Sequence, residues 1–267
     1  MKKIWALAAA AVLGAAVLLS GCGSSTSSNT KLIVGASPVP HAEILEQVKP
    51  ILAKEGIDLE IKEFTDYVTP NTALDEKAID ANFFQTVPYM NNFVKDHPMD
   101  IVFVGGVHIE PIGLYSHKVK SISEIANGSK IAIPNDPTNG GRGLLLLQKA
   151  GLIQLKDGGS DKSTVQDIIA NPKNLQIVEL EAAQLPRSLD DVEAAVINVN
   201  YALEAKLDPS KDALILEDKD SPYVNGIVVR KGDENRPEIK KLVEALQTPE
   251  IKQFIQEKYH GAVVPGF

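Results

Sequence analysis

Arg142 stands in a sequence context that is typical of an anion-binding site. The segment IPNDPTNGGRGLLLLQKAG, residues 133–151, predicts the end of a strand, a glycine-rich turn and then a helix. We expect Thr138 or Asn139 to cap this helix and Arg142 to lie in its first turn, where the helix dipole disfavours a cation unless an anion is nearby. Free backbone N–H groups beside a guanidinium group form a receptor for a carboxylate or a phosphate. A surface arginine on a capped helix is the alternative, and a P-loop is excluded because its Lys-Ser/Thr pair is missing.

Carboxamide side chains adjoin two predicted strands. VINVNYAL places Asn198 and Asn200 at the end of one strand, and SPYVNGIVV places Asn225 at the start of another. A carboxamide both donates and accepts hydrogen bonds, which suits a zwitterion that carries an ammonium and a carboxylate group. Each of these residues taken singly is equally typical of a turn.

Six aromatic residues lie within thirty positions of the sequence. They are Phe64, Tyr67, Phe83, Phe84, Tyr89 and Phe93. Such a cluster either packs in the core or forms an aromatic box for an apolar or sulfur-containing ligand. The segments FTDYVTPN and NFFQTVPYM place Tyr67 and Tyr89 beside prolines and amides, in loop-like surroundings that carry binding sites more often than core. We therefore expect an aromatic wall in a ligand site.

The sequence lacks the patterns of a metal site and of a catalytic site. Its histidines are scattered, at His41, His97, His108, His117 and His260. The segments HAE and HIE could each supply zinc ligands, but neither three or four converging ligands nor a His-rich loop is visible. No Gly-x-Ser-x-Gly elbow, zincin motif, dinucleotide fingerprint or Cys-His pair is present. We therefore expect no metal, no cofactor and no enzymatic activity, and a hydrolase is the disfavoured third possibility.

The elements that must position these side chains alternate between short apolar runs and helical patterns, which predicts an α/β architecture with mainly parallel sheets. The predicted strands are residues 32–37, 59–64, 101–104, 130–134, 175–180, 194–197, 214–217 and 226–230. One helix is predicted over residues 41–55, one has its apolar face at residues 239, 242, 243 and 246, and one has it at residues 251, 254, 255 and 259 after a Thr248-Pro249 start signal. Turn-rich joints near residues 110–113 and 221–226 would let the chain leave one lobe, build a second and return. We predict lobe 1 at residues 31–112 with 226–267, and lobe 2 at residues 113–225.

The N-terminus predicts export and a lipid anchor. Two lysines precede sixteen apolar or glycine residues, and residues 19–22 read Leu-Ser-Gly-Cys, which resembles a bacterial lipobox. We therefore predict a signal peptide at residues 1–21, diacylglycerol and palmitate on Cys22, and a flexible tether at residues 22–30. The protein is then expected outside the cytoplasmic membrane, facing the periplasm or the cell exterior. A net charge of −8 argues against a nucleic-acid partner.

The motifs together resemble the NlpA/MetQ family of methionine-binding lipoproteins. The segments that carry the resemblance are PVPHAEILEQVKP, FTDYVTPN, FFQTVPYM, GGVHIEPIGLYS, IPNDPTNGGRGLLLLQKAGLI, ANPKNLQIVELEAAQLPRSLDDVEAAVINVNYAL, SPYVNGIVV and YHGAVVP. They cover nearly all of residues 31–267 in order. The resemblance implies a two-lobed periplasmic-binding-protein fold of the α/β class, with one ligand in the cleft between the lobes and two crossover segments.

The resemblance also implies a set of ligand-binding residues. They are Tyr67, Phe84, Tyr89, Arg142, Asn200 and Asn225, with His108 as a weaker transfer. Two departures from the family pattern stand out. Thr86 occupies a position where the family usually has histidine, and Gly140 and Gly143 occur where Glu and Ala are common. The first departure changes one polar wall of the site and with it the preference among methionine derivatives.

The function implied by the resemblance is capture of methionine for an ABC importer. The ligand is expected to be L-methionine, D-methionine or a methionine-containing dipeptide, delivered by a monomeric receptor to a membrane permease with its ATPase. The alternative is a surface lipoprotein with a vestigial cleft that acts in adhesion or protein interaction.

Overall fold

The computed structural model describes residues 29–267, so the predicted signal peptide, Cys22 and most of the predicted tether lie outside the described residues. Within this range the strands are β1 Thr30–Ala36, β2 Ile57–Glu63, β3 Ala81–Thr86, β4 Ile101–Ile109, β5 Gly113–Tyr115, β6 Lys130–Pro134, β7 Gln154–Leu155, β8 Ile168–Ala170, β9 Gln176–Leu180, β10 Ala194–Ile197, β11 Ala213–Leu216, β12 Val224–Arg230 and β13 Val264–Pro265. The helices are α1 Glu43–Lys54, α2 Thr69–Asp75, α3 Val87–Asp96, α4 Pro137–Lys149, α5 Leu185–Ser188, α6 Val199–Glu204, α7 Pro209–Asp212, α8 Pro237–Leu246 and α9 Pro249–Tyr259. From residue 29 onward, no helix is both long enough and apolar enough to cross a membrane.

Two mixed sheets form the framework. One has six strands in the order β13-β4-β12-β3-β1-β2, and the other has five in the order β11-β5-β10-β6-β9. Strand β1 runs parallel to β2 and β3, and β6 runs parallel to β9 and β10. Strand β12 runs antiparallel to β3 and β4. Strand β5 runs antiparallel to β10 and β11. The expectation of mainly parallel sheets is therefore only partly correct. The first strand after each crossover, β5 in one sheet and β12 in the other, is antiparallel to its neighbours.

The chain crosses between the sheets twice. It leaves the six-stranded sheet after β4 through residues 110–112, and it returns to that sheet after β11 through residues 217–223. This arrangement confirms the two-lobed fold with two crossover segments. The predicted limits of the lobes stay a prediction, and strand β12 begins one residue before the predicted end of lobe 2.

Each sheet has its own hydrophobic core. In the six-stranded sheet, alternate residues of β1 point inward and pack against α1, and the buried side chains include Leu32, Val34, Ile44, Leu45 and Leu52. In the five-stranded sheet, β6, β10 and α4 bury Ile131, Ile133, Leu144, Leu147 and Val196. Most of each core lies within one lobe, although Val199 of α6 packs into the core of the six-stranded sheet. The lobes can therefore move as largely separate units joined by the two crossovers.

Candidate functional site

A narrow cavity lies between the two sheets at the level of the crossovers, with about 350 Å³ of space not filled by atoms when the solvent in its mouth is included. Its wall is formed by Tyr67, Phe84, Gln85, Thr86, Tyr89, Glu110, Asn139, Arg142, Asn198 and Asn225. Five of the seven predicted ligand-binding residues line it, and these are Tyr67, Phe84, Tyr89, Arg142 and Asn225. Asn200 and His108 lie behind the wall, where they contact Tyr67 and Glu110.

Three aromatic rings form one wall of the cavity. The ring centroids of Tyr67, Phe84 and Tyr89 are 5.8–5.9 Å apart in every pair. Strand β3 carries Phe84, and Thr86 caps the following helix by accepting a hydrogen bond from the Tyr89 backbone N–H at 3.3 Å. The Tyr89 hydroxyl donates to the Tyr67 carbonyl at 2.9 Å. Thr86 therefore fixes the helix start that presents Tyr89, besides lining the cavity itself.

The other three aromatics of the cluster are not in the cavity wall. Phe83 is fully buried in the core of the six-stranded lobe, with its ring centroid 4.7 Å from that of His41. Phe64 packs against a buried cluster under α2, and Phe93 stacks on His97 at 4.2 Å. The predicted aromatic box is thus formed by half of the aromatic cluster.

Arg142 is buried, and most of its hydrogen-bonding capacity is used by the protein. Its Nε and Nη2 donate to the two carboxylate oxygens of Glu217 at 3.1 and 2.6 Å, and Nη2 also donates to the Glu110 carbonyl at 3.1 Å. Nη1 donates to Asn139 Oδ1 at 3.2 Å. A guanidinium group has five N–H donors, so among the described residues one Nη1 hydrogen is left for a ligand. The anion that neutralises the buried guanidinium group is Glu217.

Helix α4 begins earlier than the sequence analysis predicts. Asp136, and neither Thr138 nor Asn139, is the N-cap, and its Oδ1 accepts the Asn139 backbone N–H at 2.9 Å. The helix starts at Pro137, so Arg142 lies in the second turn. The predictions of the cap and of the first turn were wrong because proline favours the first helical position, which makes the residue before it the cap.

A chain of amides connects Arg142 to the cavity wall. Asn139 Oδ1 accepts from Arg142 and also from Asn198 Nδ2 at 3.0 Å. This bond fixes the orientation of the Asn198 amide and leaves its Oδ1 buried without a partner among the described residues. A buried acceptor without a donor is costly unless a ligand supplies one. On the side of the six-stranded sheet, Asn225 Oδ1 lies 3.4 Å from His41 Nε2.

Glu110 is the carboxylate of the cavity, and sequence analysis considered it only as a zinc ligand. Its Oε1 accepts from His108 Nε2 at 2.7 Å and lies 3.3 Å from His41 Nε2, while Oε2 accepts the Asn200 backbone N–H at 3.1 Å. Burial lowers the pKa of His41 to about 4 and that of His108 to about 3, so both rings are neutral at pH 7 and donate through Nε2. Burial raises the pKa of Glu110, whereas His41, the Asn200 N–H and Arg142 oppose that rise.

The same three side chains are close enough to hold a metal ion. The potential ligand atoms of His41, His108 and Glu110 lie within 4.8 Å of one another. However, the Nδ1 atoms of both histidines have no partner among residues 29–267, whereas a metal-bound imidazole generally donates its second N–H to an acceptor. Hydrogen bonds from two neutral imidazoles to one carboxylate account for the cluster without a metal.

The two lobes touch over the cavity. The Tyr67 hydroxyl donates to Asn200 Oδ1 at 2.5 Å, and the Tyr201 hydroxyl donates to the Thr65 carbonyl at 3.1 Å. The rings of Tyr67 and Tyr201 are 5.0 Å apart. A wider outer cavity, about 880 Å³ with the solvent in its mouth, shares Tyr67 and Tyr89 with the inner one. The cleft is therefore nearly closed around the inner cavity.

Comparison with known proteins places this architecture among bacterial lipoproteins. Residues 32–267 match the model of the NlpA lipoprotein family. The D-methionine-binding lipoprotein MetQ of Salmonella typhi is 46% identical over 269 residues, which cover 99% of each chain, and that of Escherichia coli K12 is 45% identical over 268 residues, again 99% of each chain. A nutrient-binding protein of Burkholderia cenocepacia, solved with methionine bound, has a TM-score of 0.85 and 49% identity, covering 88% of this chain and all of its own.

Proposed function

This chain belongs to the NlpA lipoprotein family, and on that premise we propose that it captures a methionine-class amino acid outside the cell membrane for an ABC importer. Members of the family are substrate-binding lipoproteins of transporters and not enzymes. The observation that carries the proposal is that one interlobe cavity combines a buried guanidinium group, a buried amide acceptor without a donor and an aromatic wall.

The polar half of the cavity matches a zwitterionic amino acid. The carboxylate of the ligand accepts from the free Nη1 hydrogen of Arg142, and the ammonium group donates to Asn198 Oδ1, Asn225 Oδ1 and the Glu110 carboxylate. Hydrogen bonds to charged groups contribute about 1.5–3 kcal/mol each. The cavity wall holds both the Glu110 carboxylate and the Arg142 guanidinium group, and this pair of opposite charges favours α-amino acids over simple carboxylic acids.

The apolar half of the cavity matches a thioether side chain. The rings of Tyr67, Phe84 and Tyr89 surround it, and each buried methylene contributes about 0.8 kcal/mol. Sulfur over an aromatic edge adds about 0.3–1.5 kcal/mol. After the costs of ordering and desolvation, this supports an affinity of about micromolar or better.

Ligand binding is coupled to closure of the lobes in this proposal. Lobe 1, residues 31–112 with 226–267, supplies the aromatic wall, whereas lobe 2, residues 113–225, supplies Arg142 and Asn200. Asn225, the last residue of the predicted lobe 2, lies in strand β12 of the six-stranded sheet. A ligand that touches both sides favours the closed form. The permease with its ATPase then recognises the closed, loaded receptor, which acts as a monomer held at the membrane by lipid on Cys22.

Titration calorimetry on the full chain tests this function. The chain is freed of co-purified ligand by unfolding and refolding, and L-methionine, D-methionine and a methionine-containing dipeptide are then added separately. We expect one-to-one binding of at least one of them with a dissociation constant of about micromolar or below. The absence of binding heat with all three, on a refolded protein that melts cooperatively, would favour the vestigial-cleft alternative.

A further inference from the structure

We propose that Glu217 is a positioning residue for ligand binding: it holds Arg142 so that its single free N–H faces the cavity, and it ties that arginine to both crossover segments. The inference rests on the proposed function, since it concerns how the same site recognises the ligand carboxylate. Glu217 itself is absent from the cavity wall, so it acts through Arg142.

The two carboxylate oxygens of Glu217 engage one edge of the guanidinium group. They accept from Nε at 3.1 Å and from Nη2 at 2.6 Å, which is a bidentate arrangement. The Arg142 side chain is 4% exposed and that of Glu217 is 18% exposed, so solvent screens this pair only weakly. The opposite edge of the guanidinium group, at Nη1, is thereby directed to Asn139 and the cavity.

Glu217 also connects the two crossovers to each other. Its backbone N–H donates to the Ile112 carbonyl at 2.9 Å, and the Ile112 N–H lies 3.4 Å from Glu217 Oε2. Arg142 adds a bond to the carbonyl of Glu110 in the first crossover and lies 4.1 Å above the ring of Tyr223 in the second. The carboxylate-binding arginine is therefore attached to both segments about which the lobes must move.

Two other roles for Glu217 make different predictions. A purely structural residue would affect all ligands equally, because it would not influence the carboxylate subsite in particular. A residue that merely competes electrostatically with the ligand carboxylate would weaken binding, so its neutralisation would tighten binding. A positioning residue instead makes binding weaker on removal, and only for ligands that carry a carboxylate.

The test compares methionine with methionine amide, which lacks the carboxylate, on the refolded full chain. In E217Q we expect methionine to bind at least about tenfold more weakly, because a charge-assisted bidentate contact is lost, and methionine amide to bind within about twofold of wild type. D218N is the matched control. It removes the neighbouring charge in the second crossover and the 2.7 Å ion pair of Asp218 with Lys149, which lies on helix α4 together with Arg142. Asp218 itself does not contact Arg142. D218N should leave both affinities unchanged.

E217D keeps the charge with a shorter reach and provides the second variant. E217D should retain part of the higher affinity for methionine than for methionine amide. If E217Q melts below the assay temperature, E217D replaces it in the test. Unchanged or tighter methionine binding, or an equal loss for both ligands, would overturn the inference. If the wild type binds neither methionine enantiomer, the proposed function fails and this inference fails with it. If the wild type binds methionine and neither E217Q nor E217D changes that affinity, only this inference fails.

Discussion

Asn225 and Arg142 are expected to differ in what their removal does to stability. The side-chain contact of Asn225 is a long one, 3.4 Å to His41, so Asn225→Ala should weaken methionine binding about tenfold or more and lower the melting temperature little. Arg142→Ala should weaken binding at least as much and should also destabilise the fold by about 1–3 kcal/mol, since it leaves Glu217 Oε1 and the Glu110 carbonyl without a donor.

Calorimetric melting and titration of both variants check this pair of predictions. The sequence alone could not show the ion pair between residues 142 and 217, on which the expected difference in stability depends. Equal melting temperatures for the two variants would contradict the structural role that we assign to Arg142.

The buried imidazole of His108 gives a pH-dependent prediction. Its pKa is about 3 in the folded protein against an ordinary value of 6.5, so between these pH values the unfolded chain binds one more proton than the folded chain at this position. Acid therefore favours unfolding at this residue, by about 1.4 kcal/mol per pH unit below 6.5. In His108→Gln this contribution is absent.

The measurement is the free energy of unfolding of wild type minus that of His108→Gln, from urea titrations between pH 7.5 and pH 4.5. We expect this difference to fall steadily below pH 6.5. The Glu110 carboxylate acts in the same direction, because loss of the His108 donor raises its pKa further in the variant. A difference that stays constant with pH would mean that His108 takes up its proton at the same pH in the folded and the unfolded chain.

At the residue scale, the sequence predicted the types of the site residues better than their partners. Arg142, Asn225 and the three aromatic rings could be identified because their motifs are local. Glu217 and Glu110 were missed as members of the site, since their roles arise from contacts with residues 75 and 90 positions away. Such contacts leave no short-range pattern.

Helix α4 offers a prediction at the scale of an element, because its glycines differ in their surroundings. A Cβ atom on Gly141 would lie 2.3 Å from the Asp161 carbonyl oxygen, whereas one on Gly143 would meet its neighbours at 3.5 Å, an ordinary contact distance. Gly143→Ala should therefore stabilise the protein by up to about 1 kcal/mol through helix propensity. Gly141→Ala should destabilise it by about 1–3 kcal/mol through overpacking.

Thermal denaturation of the two single variants and the wild type decides this prediction. Because both substitutions are glycine to alanine in the same helix, the unfolded-state contribution is the same in each. A destabilised Gly143→Ala variant, or a neutral Gly141→Ala variant, would show that α4 does not pack as described.

The elements were predicted where the apolar pattern is strong and missed where it is weak. Strands β6 and β10 match their predicted bounds, and α9 begins at Pro249, within its predicted start signal. Helix α8 begins two residues before its first predicted apolar position. Helix α3 was not predicted, although it presents Tyr89 to the cavity, because its sequence VPYMNNFVKD mixes proline, amides and aromatics. Strand β4 extends beyond its predicted end, through two glycines to Ile109, because the neighbouring strands β12 and β13 pair with its backbone along this stretch.

At the scale of the whole molecule, the bond between Tyr67 and Asn200 links the lobes and should favour the closed form. Tyr67→Phe removes this hydroxyl but keeps the aromatic wall, so methionine should dissociate faster, by up to about tenfold. Tyr89→Phe is the control, since its hydroxyl bonds to the Tyr67 carbonyl within one lobe. Stopped-flow dissociation measures both, and equal rates for the two variants would contradict a role in closure.

The global architecture was within reach of the sequence through the family resemblance and the two turn-rich joints. The resemblance covers the whole folded part of the chain, and the family match over residues 32–267 confirms it. The mixed direction of the sheets was not predicted, because short apolar runs carry no information about the partner beside which a strand lies.

Native mass spectrometry of the refolded full chain with added L- or D-methionine tests the central claim most directly. We predict a one-to-one adduct with at least one enantiomer in the wild type, and its loss in Asn225→Ala at the same ligand concentration. The absence of any adduct on folded wild-type protein, or an adduct that Asn225→Ala retains undiminished, would contradict the account.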